Sequence, residues 1–318
     1  LVNAGDPVSR RIANYYVRLR RIPPYNVIPL EGIPGSNRVD VDTFRSGILR
    51  PALNEIQRRG IAGQIDYVVY SSGFPYAVDV RADMRGLEFP RQITQPASIT
   101  GLTYLYAPVL AKAPKFYMGL GANLYCKHVI RDPDKAGPGA LQDTAPFRHS
   151  QAFAIPGTDE VTPYLISTML GHVSAKTNTQ GEVMESLARS AAADGTHPAG
   201  TVYLMQSDDV RSKTRQWAFD MTVRLLGECG ARGEVFPGKV PNGRMDVAGI
   251  VAGTARFSWD ASRSRILPGA ICEHLTSTGG DLGSGHQTLL TEWIRYGASG
   301  SSGTVSEPFS IQAKFPTP

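Results

Sequence analysis

The sequence predicts an α/β protein: a mostly parallel sheet with helices on both faces, a three-layer sandwich carrying one long irregular insertion. Three observations predict it. Residues 1–30 read strand, helix, strand, the length of one βαβ unit. The run "IDYVVYSSG" is almost continuously apolar up to its serines, as a strand covered on both faces should be. From residue 182 onward, helical and strand periods alternate regularly.

The elements follow in order. Residues 1–3 end a buried strand, Asp6 is placed to cap a helix and Pro7 to open it. Val8, Ile12, Tyr15, Tyr16, Leu19 and Ile22 then recur at helical spacing, with Arg10, Arg11, Arg18 and Arg21 between them, and "IPP" ends the helix. This Arg-rich piece reads as a solvated helix face. "YNVIPL" is the next strand, and a right-handed crossover joins the two. "PALNEIQRRG" is a helix stopped by Gly60, followed by the strand in "IDYVVYSSG". From Phe74 to Pro163 the period fails in a stretch rich in Pro and Gly, read as an excursion within a single α/β domain over 1–318. An excursion this long implies a purpose, a cleft cover or a partner contact. Tyr104, Tyr106, Phe116, Tyr117 and Tyr125 in it are either sugar-stacking positions or its own small core. Beyond it come the helix "EVMESLARSAAAD", the strand "GTVYLMQS", one long helix "RSKTRQWAFDMTVRLLGECG", the strands "MDVAGIVAGTA" and "GAICEHLTST", and the helix "QTLLTEWIRYG". The alternation then demands a strand at "ASGSSGTV". Gly and Ser are poor strand formers, so either another element packs hard against that run or it floors a cleft.

The totals exclude several classes. The chain of 318 residues suffices for two average domains or one large one. No apolar run approaches the roughly 18 residues of a membrane helix, so no membrane span is expected. A net charge of +5 without a Lys/Arg run interleaved with aromatics argues against a nucleic-acid partner. Cys126, Cys229 and Cys272 are too far apart for a CxxC zinc site, and the sequence leaves their oxidation state open. Starting on Leu1 within an apparent strand, the chain is expected either to have lost a leader or to continue upstream.

In a parallel sheet ligands bind beyond the carboxyl ends of the strands. Those ends offer Asn3 and Asp6; Ser71, Ser72 and Gly73; Ser207, Asp208 and Asp209; Ser277 through Asp281; and Ser306 with Glu307. Asp208 and Asp209 are either helix-capping residues or a carboxylate pair for a divalent metal, a site that would need further ligands from a second strand end; no cofactor is expected, calcium being the one cation the sequence leaves open. His274 is either a hydrogen-bonded core histidine or a general base oriented by Glu307. Ser302, Thr304 and Ser277 are the available nucleophiles, none in a GxSxG turn. Cys272 shares the face of His274 but lies mid-strand, as an inert thiol would. "GGDLGSG" (279–285), followed by His286 and a helix, has the composition of a phosphate cradle but not the spacing of one.

The segments "DPVSRRIANYYVRLRRIPPYNVIPL", "IDYVVYSSGFPYAV", "PGAICEHLTSTGG" and "LLTEWIRYGASGSSGTVSEP", in this order, resemble an uncharacterised bacterial family found mainly in species that encode exosortase, the envelope protein-sorting system. The likeness covers nearly the whole chain and implies an exported, cell-surface setting, and family members usually continue past this C-terminus. More remotely the layout is similar to the caspase- or flavodoxin-like sheet of gingipain- and caspase-type cysteine peptidases. Where those place His-Gly and Cys at two strand ends, this chain has "TSTGG" and "TVSEP", and no cysteine follows Cys272. The resemblance therefore implies a peptidase-like core without the dyad. The expected function is a self-assembling envelope structural or interaction protein, a homo-oligomer or filament with an envelope polysaccharide or protein as further partner. The alternatives are a hydrolase using His274 and Glu307 with Ser302, and a carbohydrate or peptide binder.

Overall fold

Asp6 caps the first helix as its position predicts. Its carboxylate accepts the Val8 N–H at 2.8 Å, Pro7 sits in the first turn, and the helix runs Pro7–Arg20 with Ile12 and Ala13 buried. The computed structural model describes residues 1–118, 152–154, 161–197 and 199–309. These form a mixed α/β protein and fall into two compact units, residues 1–118 with 152–184, and residues 185–309.

Among the described residues the first unit holds nine short strands. They are β1 (Val2–Asn3), β2 (Pro29–Leu30), β3 (Arg38–Asp40), β4 (Tyr67–Tyr70), β5 (Ala77–Asp79), β6 (Pro96–Ser98), β7 (Ala152–Ala154), β8 (Val161–Pro163) and β9 (Ile166–Met169). β1 and β2 are parallel, as are β4 and β9, and the Ser71 N–H donates to the Leu1 carbonyl at 2.9 Å, tying β1 to the end of β4. β3 and β5 run parallel, β5 and β6 antiparallel, β7 and β8 antiparallel. The described part of the 74–163 excursion belongs to this unit and carries β5 to β8 and four short helices. Tyr104 and Tyr117 are buried there, Tyr104 with its ring 5.6 Å from that of Tyr164, while Phe116 is exposed; Tyr125 lies outside the described residues. A buried guanidinium fastens the unit. Arg45 is 2% exposed, donates to the Val109 carbonyl at 2.7 Å, and is bonded to Asp42 and Asp83.

The second unit is built on one parallel sheet, β11 (Arg232–Pro237), β10 (Thr201–Gln206), β12 (Val247–Gly253) and β13 (Ile266–Leu275), in that spatial order. Alternation divides its side chains. Tyr203, Met205, Ile250, Ala252, Cys272 and Ala270 join Trp259, Trp293 and Ala298 in a core on one face. The other face carries Val202, Gly249, Val251 and Glu273, and the helix Val210–Gln216 crosses it at Gly253. Gly253 is glycine for that reason, since a Cβ would fall inside 3.0 Å of the Arg211 and Ser212 backbone.

Besides the Gly/Ser run at 298–305, three elements depart from expectation. The single long helix is two, Val210–Gln216 and Phe219–Glu228, because the chain turns at Trp217 and Ala218. β11 was not expected at all. The helix before "ASGSSGTV" is only Thr291–Arg295. Among the described residues no helix is long and apolar enough to cross a membrane.

Candidate functional site

Beyond the carboxyl ends of β10, β12 and β13 lie Ser207–Asp209, Thr254–Arg256 and Thr276–Asp281. The run "ASGSSGTV" borders this edge, but it is not a strand. It makes one parallel bridge, Gly300 to Ile271, with the Ser299 N–H donating to Ala270 at 2.8 Å and the Cys272 N–H to Gly300 at 3.1 Å. It then leaves the ladder to clasp the loop after β13. Thr304 Oγ1 donates to the Thr276 carbonyl at 2.8 Å, and the Gly280 N–H to the Thr304 carbonyl at 2.9 Å. At Gly280 and Gly303 the two backbones come so close that a Cβ on either would fall inside 3.0 Å of the other. The small residues serve a backbone-to-backbone contact. The "GGDLGSG" loop is held from the other side by Gln287, whose Oε1 accepts Thr276 Oγ1 at 2.5 Å and the Thr278 N–H at 2.9 Å. No helix starts directly after it, which removes the anion site its composition resembled.

His274 is 2% exposed, and both ring nitrogens are committed. Trp293 Nε1, a donor only, gives its proton to Nδ1 at 2.9 Å, so the ring proton sits on Nε2 and is donated to the Thr288 carbonyl at 2.9 Å. Phe257 stands edge-on to the ring at 5.0 Å and stacks on Trp293 at 4.3 Å. Burial holds the imidazole neutral and lowers its pKa from 6.5 to about 4. The unfolded chain therefore binds a proton that the folded one refuses. This contribution to stability is complete above pH 6.5 and is lost as pH falls through about 4. The ring proton resonances of His274 are expected to stay constant by NMR from pH 8 down to about 5; a titration midpoint near 6.5 would contradict the assignment.

No nitrogen of His274 is left for Glu307, and the structure does not bring the expected pair together. Glu307 is exposed and accepts the Phe309 N–H at 2.8 Å. Ser302 is exposed, and its hydroxyl donates to Glu273 Oε2 at 3.4 Å. Glu273 also accepts from the guanidinium of Arg215, and both are buried, at 8% and 4% exposure. Cys272 is fully buried and its thiol pKa is pushed up by burial; Cys229 is exposed and free, and Cys126 lies outside the described residues. Asp209 caps the helix Val210–Gln216 through the Arg211 N–H at 3.0 Å. Asp208 is fully exposed and pairs with Lys213 at 3.1 Å. Among the described residues no group of three or more His, Cys, Asp or Glu side chains is placed to hold a metal ion.

In the first unit the strand ends also fasten the chain. Asn3 donates to the Gly73 carbonyl at 2.7 Å and accepts the Gly5 N–H at 3.2 Å, and Ser71 Oγ donates to Ser9 at 2.7 Å. Gly73 has φ +79°, and a Cβ there would fall inside 3.0 Å of the Asp6 carboxylate.

The chain matches no family model, no curated protein and no solved structure. The Arg215–Glu273 pair escaped sequence reasoning. Its signal was present in "AICEHL", where a carboxylate sits in the middle of an apolar strand and so requires a partner.

Proposed function

We propose that the chain is a non-catalytic structural or interaction protein of the cell envelope, built on a caspase-like three-layer core and acting through self-assembly. One observation carries the non-catalytic part. At the strand ends where a peptidase of that layout would keep its dyad, Gly280 and Gly303 are packed backbone to backbone, and His274, earlier in β13 than that layout places its histidine, has both nitrogens bonded within an aromatic core. A base must have a nitrogen facing the proton it removes, and this ring has none. The envelope setting rests on the resemblance to the family of exosortase-encoding species. Self-assembly is supported by the outer edge of β11, which no further strand among the described residues pairs with, and by the exposed Ile271, Val210 and Met245 of the same unit.

The test is the mass of the protein purified from its native source, by light scattering with electron microscopy of the same sample, with and without calcium. Rings, sheets or filaments are expected. A monomer at high concentration in both conditions defeats the assembly reading.

The hydrolase reading retains one favourable contact, the exposed Ser302 hydroxyl on Glu273. The Glu273 carboxylate is, however, already engaged by the buried Arg215 guanidinium, which occupies the oxygen facing it. Turnover of an ester, peptide or glycan that disappears in Ser302→Ala would revive it.

A further inference from the structure

The exposed face of the helix Pro7–Arg20 has no counterpart elsewhere in the described residues. It presents Arg10, Arg11 and Arg18, and Arg21 follows as its C-cap; all four are exposed, and they extend over about 16 Å at 1.5 Å per residue. The helix contains no Asp or Glu. Asp6, just before it, is engaged at the cap. None of the four guanidinium groups makes an ion pair or a side-chain hydrogen bond among the described residues, in contrast to Arg45, Arg58, Arg59 and Arg81 of the same unit, each of which holds a carboxylate. Arg50, Arg85 and Arg91 are exposed as well, but each stands on a separate stretch of chain. Residues 1–118 carry 15 Lys and Arg against 9 Asp and Glu, whereas residues 185–309 carry 12 against 13, so the excess positive charge of these two stretches belongs to the first.

Four unpaired guanidinium groups in a row match a linear polyanion better than a single small anion, since each fork takes one carboxylate or sulfate in bidentate fashion. The aromatic neighbours narrow the class. A base-stacking platform needs free ring faces. Here the guanidinium of Arg18 lies over the Tyr15 ring at 5.4 Å and that of Arg20 over the Tyr16 ring at 5.9 Å. Stacking pre-orients Arg18 while leaving its N–H edge for an acceptor. No large aliphatic side chain is exposed on this face to enter a lipid surface. We propose that this face docks a linear acidic polysaccharide. The inference does not depend on self-assembly, and a chain that stays monomeric still tests it.

The probe is sodium alginate, a polyuronate, with dextran as the neutral control, titrated against the whole protein by calorimetry at low and at physiological salt. Binding to alginate but not to dextran, weakening with salt, is expected. The variant Arg10→Gln/Arg11→Gln/Arg18→Gln/Arg21→Gly should lose at least about tenfold in affinity. Arg50→Gln/Arg85→Gln/Arg91→Gln should stay within about twofold of the parent, which separates a site from net charge. Arg21 has φ +51°, a conformation glycine adopts without strain. Arg21→Gly alone should therefore keep or raise the melting temperature while still weakening binding, so loss of fold is not confused with loss of the site. No alginate binding at low salt, equal losses in both variant sets, or tighter binding to single-stranded DNA or phosphatidylglycerol vesicles than to alginate would each overturn the proposal.

Discussion

Gly253→Ala should destabilise the second unit by on the order of 3 kcal/mol or more, read as a loss of urea midpoint at unchanged slope. The added methyl would overlap the peptide between Arg211 and Ser212, and backbone cannot swing aside as a side-chain tip can. Relief requires the helix Val210–Gln216 to lift from β12. That helix is pinned to β10 by Ser212 Oγ, which donates to the Met205 carbonyl at 2.9 Å and accepts the Ser207 N–H at 3.0 Å. Lifting it would strand both groups. A change below about 0.5 kcal/mol would mean that the helix shifts freely and that the crossing is looser than described.

Removing one partner of the Arg215–Glu273 pair is the second large effect. Glu273→Leu leaves the Arg215 guanidinium buried without its carboxylate, and Arg215→Met leaves the carboxylate buried; each should cost about 3–5 kcal/mol. The double variant Arg215→Met/Glu273→Leu should recover most of the loss, because well-packed apolar side chains replace a pair whose desolvation was expensive. Additive losses in this cycle would show that the two residues act separately. The pair also bears on function. If Ser302 performed chemistry through Glu273, the double variant would be stable and inert, whereas in a structural protein it should assemble like the parent.

The first helix was legible because three signals agreed there: an Asp cap, a proline in the first turn, and apolar residues at helical spacing. β4, β10, β12 and β13 were legible from long apolar runs. β11 was not, because "RGEVFP" breaks its apolar residues with Arg, Gly, Glu and Pro; an edge strand in contact with a helix at Gly233 tolerates what a central strand would not. The Gly/Ser run was expected as a strand, and it makes a single bridge to β13. What keeps it small is its contact with Gly280, and no local pattern reports a neighbour 23 residues away (280 to 303). The sequence around His274 is silent on its role for the same reason, since its partners Trp293 and Thr288 lie 19 and 14 residues further along the chain. The division into two units has no sequence mark, since it falls within the continuous helix Gln180–Ala193.

The β4–β9 ladder has a consequence in time. Tyr67 pairs with Ile166, 99 positions further along the chain. At a synthesis rate of about 5–20 residues per second, that edge of β4 stays open for roughly 5–20 seconds after it leaves the ribosome. Hairpins close in microseconds, so nothing in the local chemistry sets that wait. Tyr67–Tyr70 is an apolar strand with an uncovered ladder throughout it, and a nascent chain holding such an edge depends on a chaperone or on the early hold of β1 to stay out of intermolecular sheets.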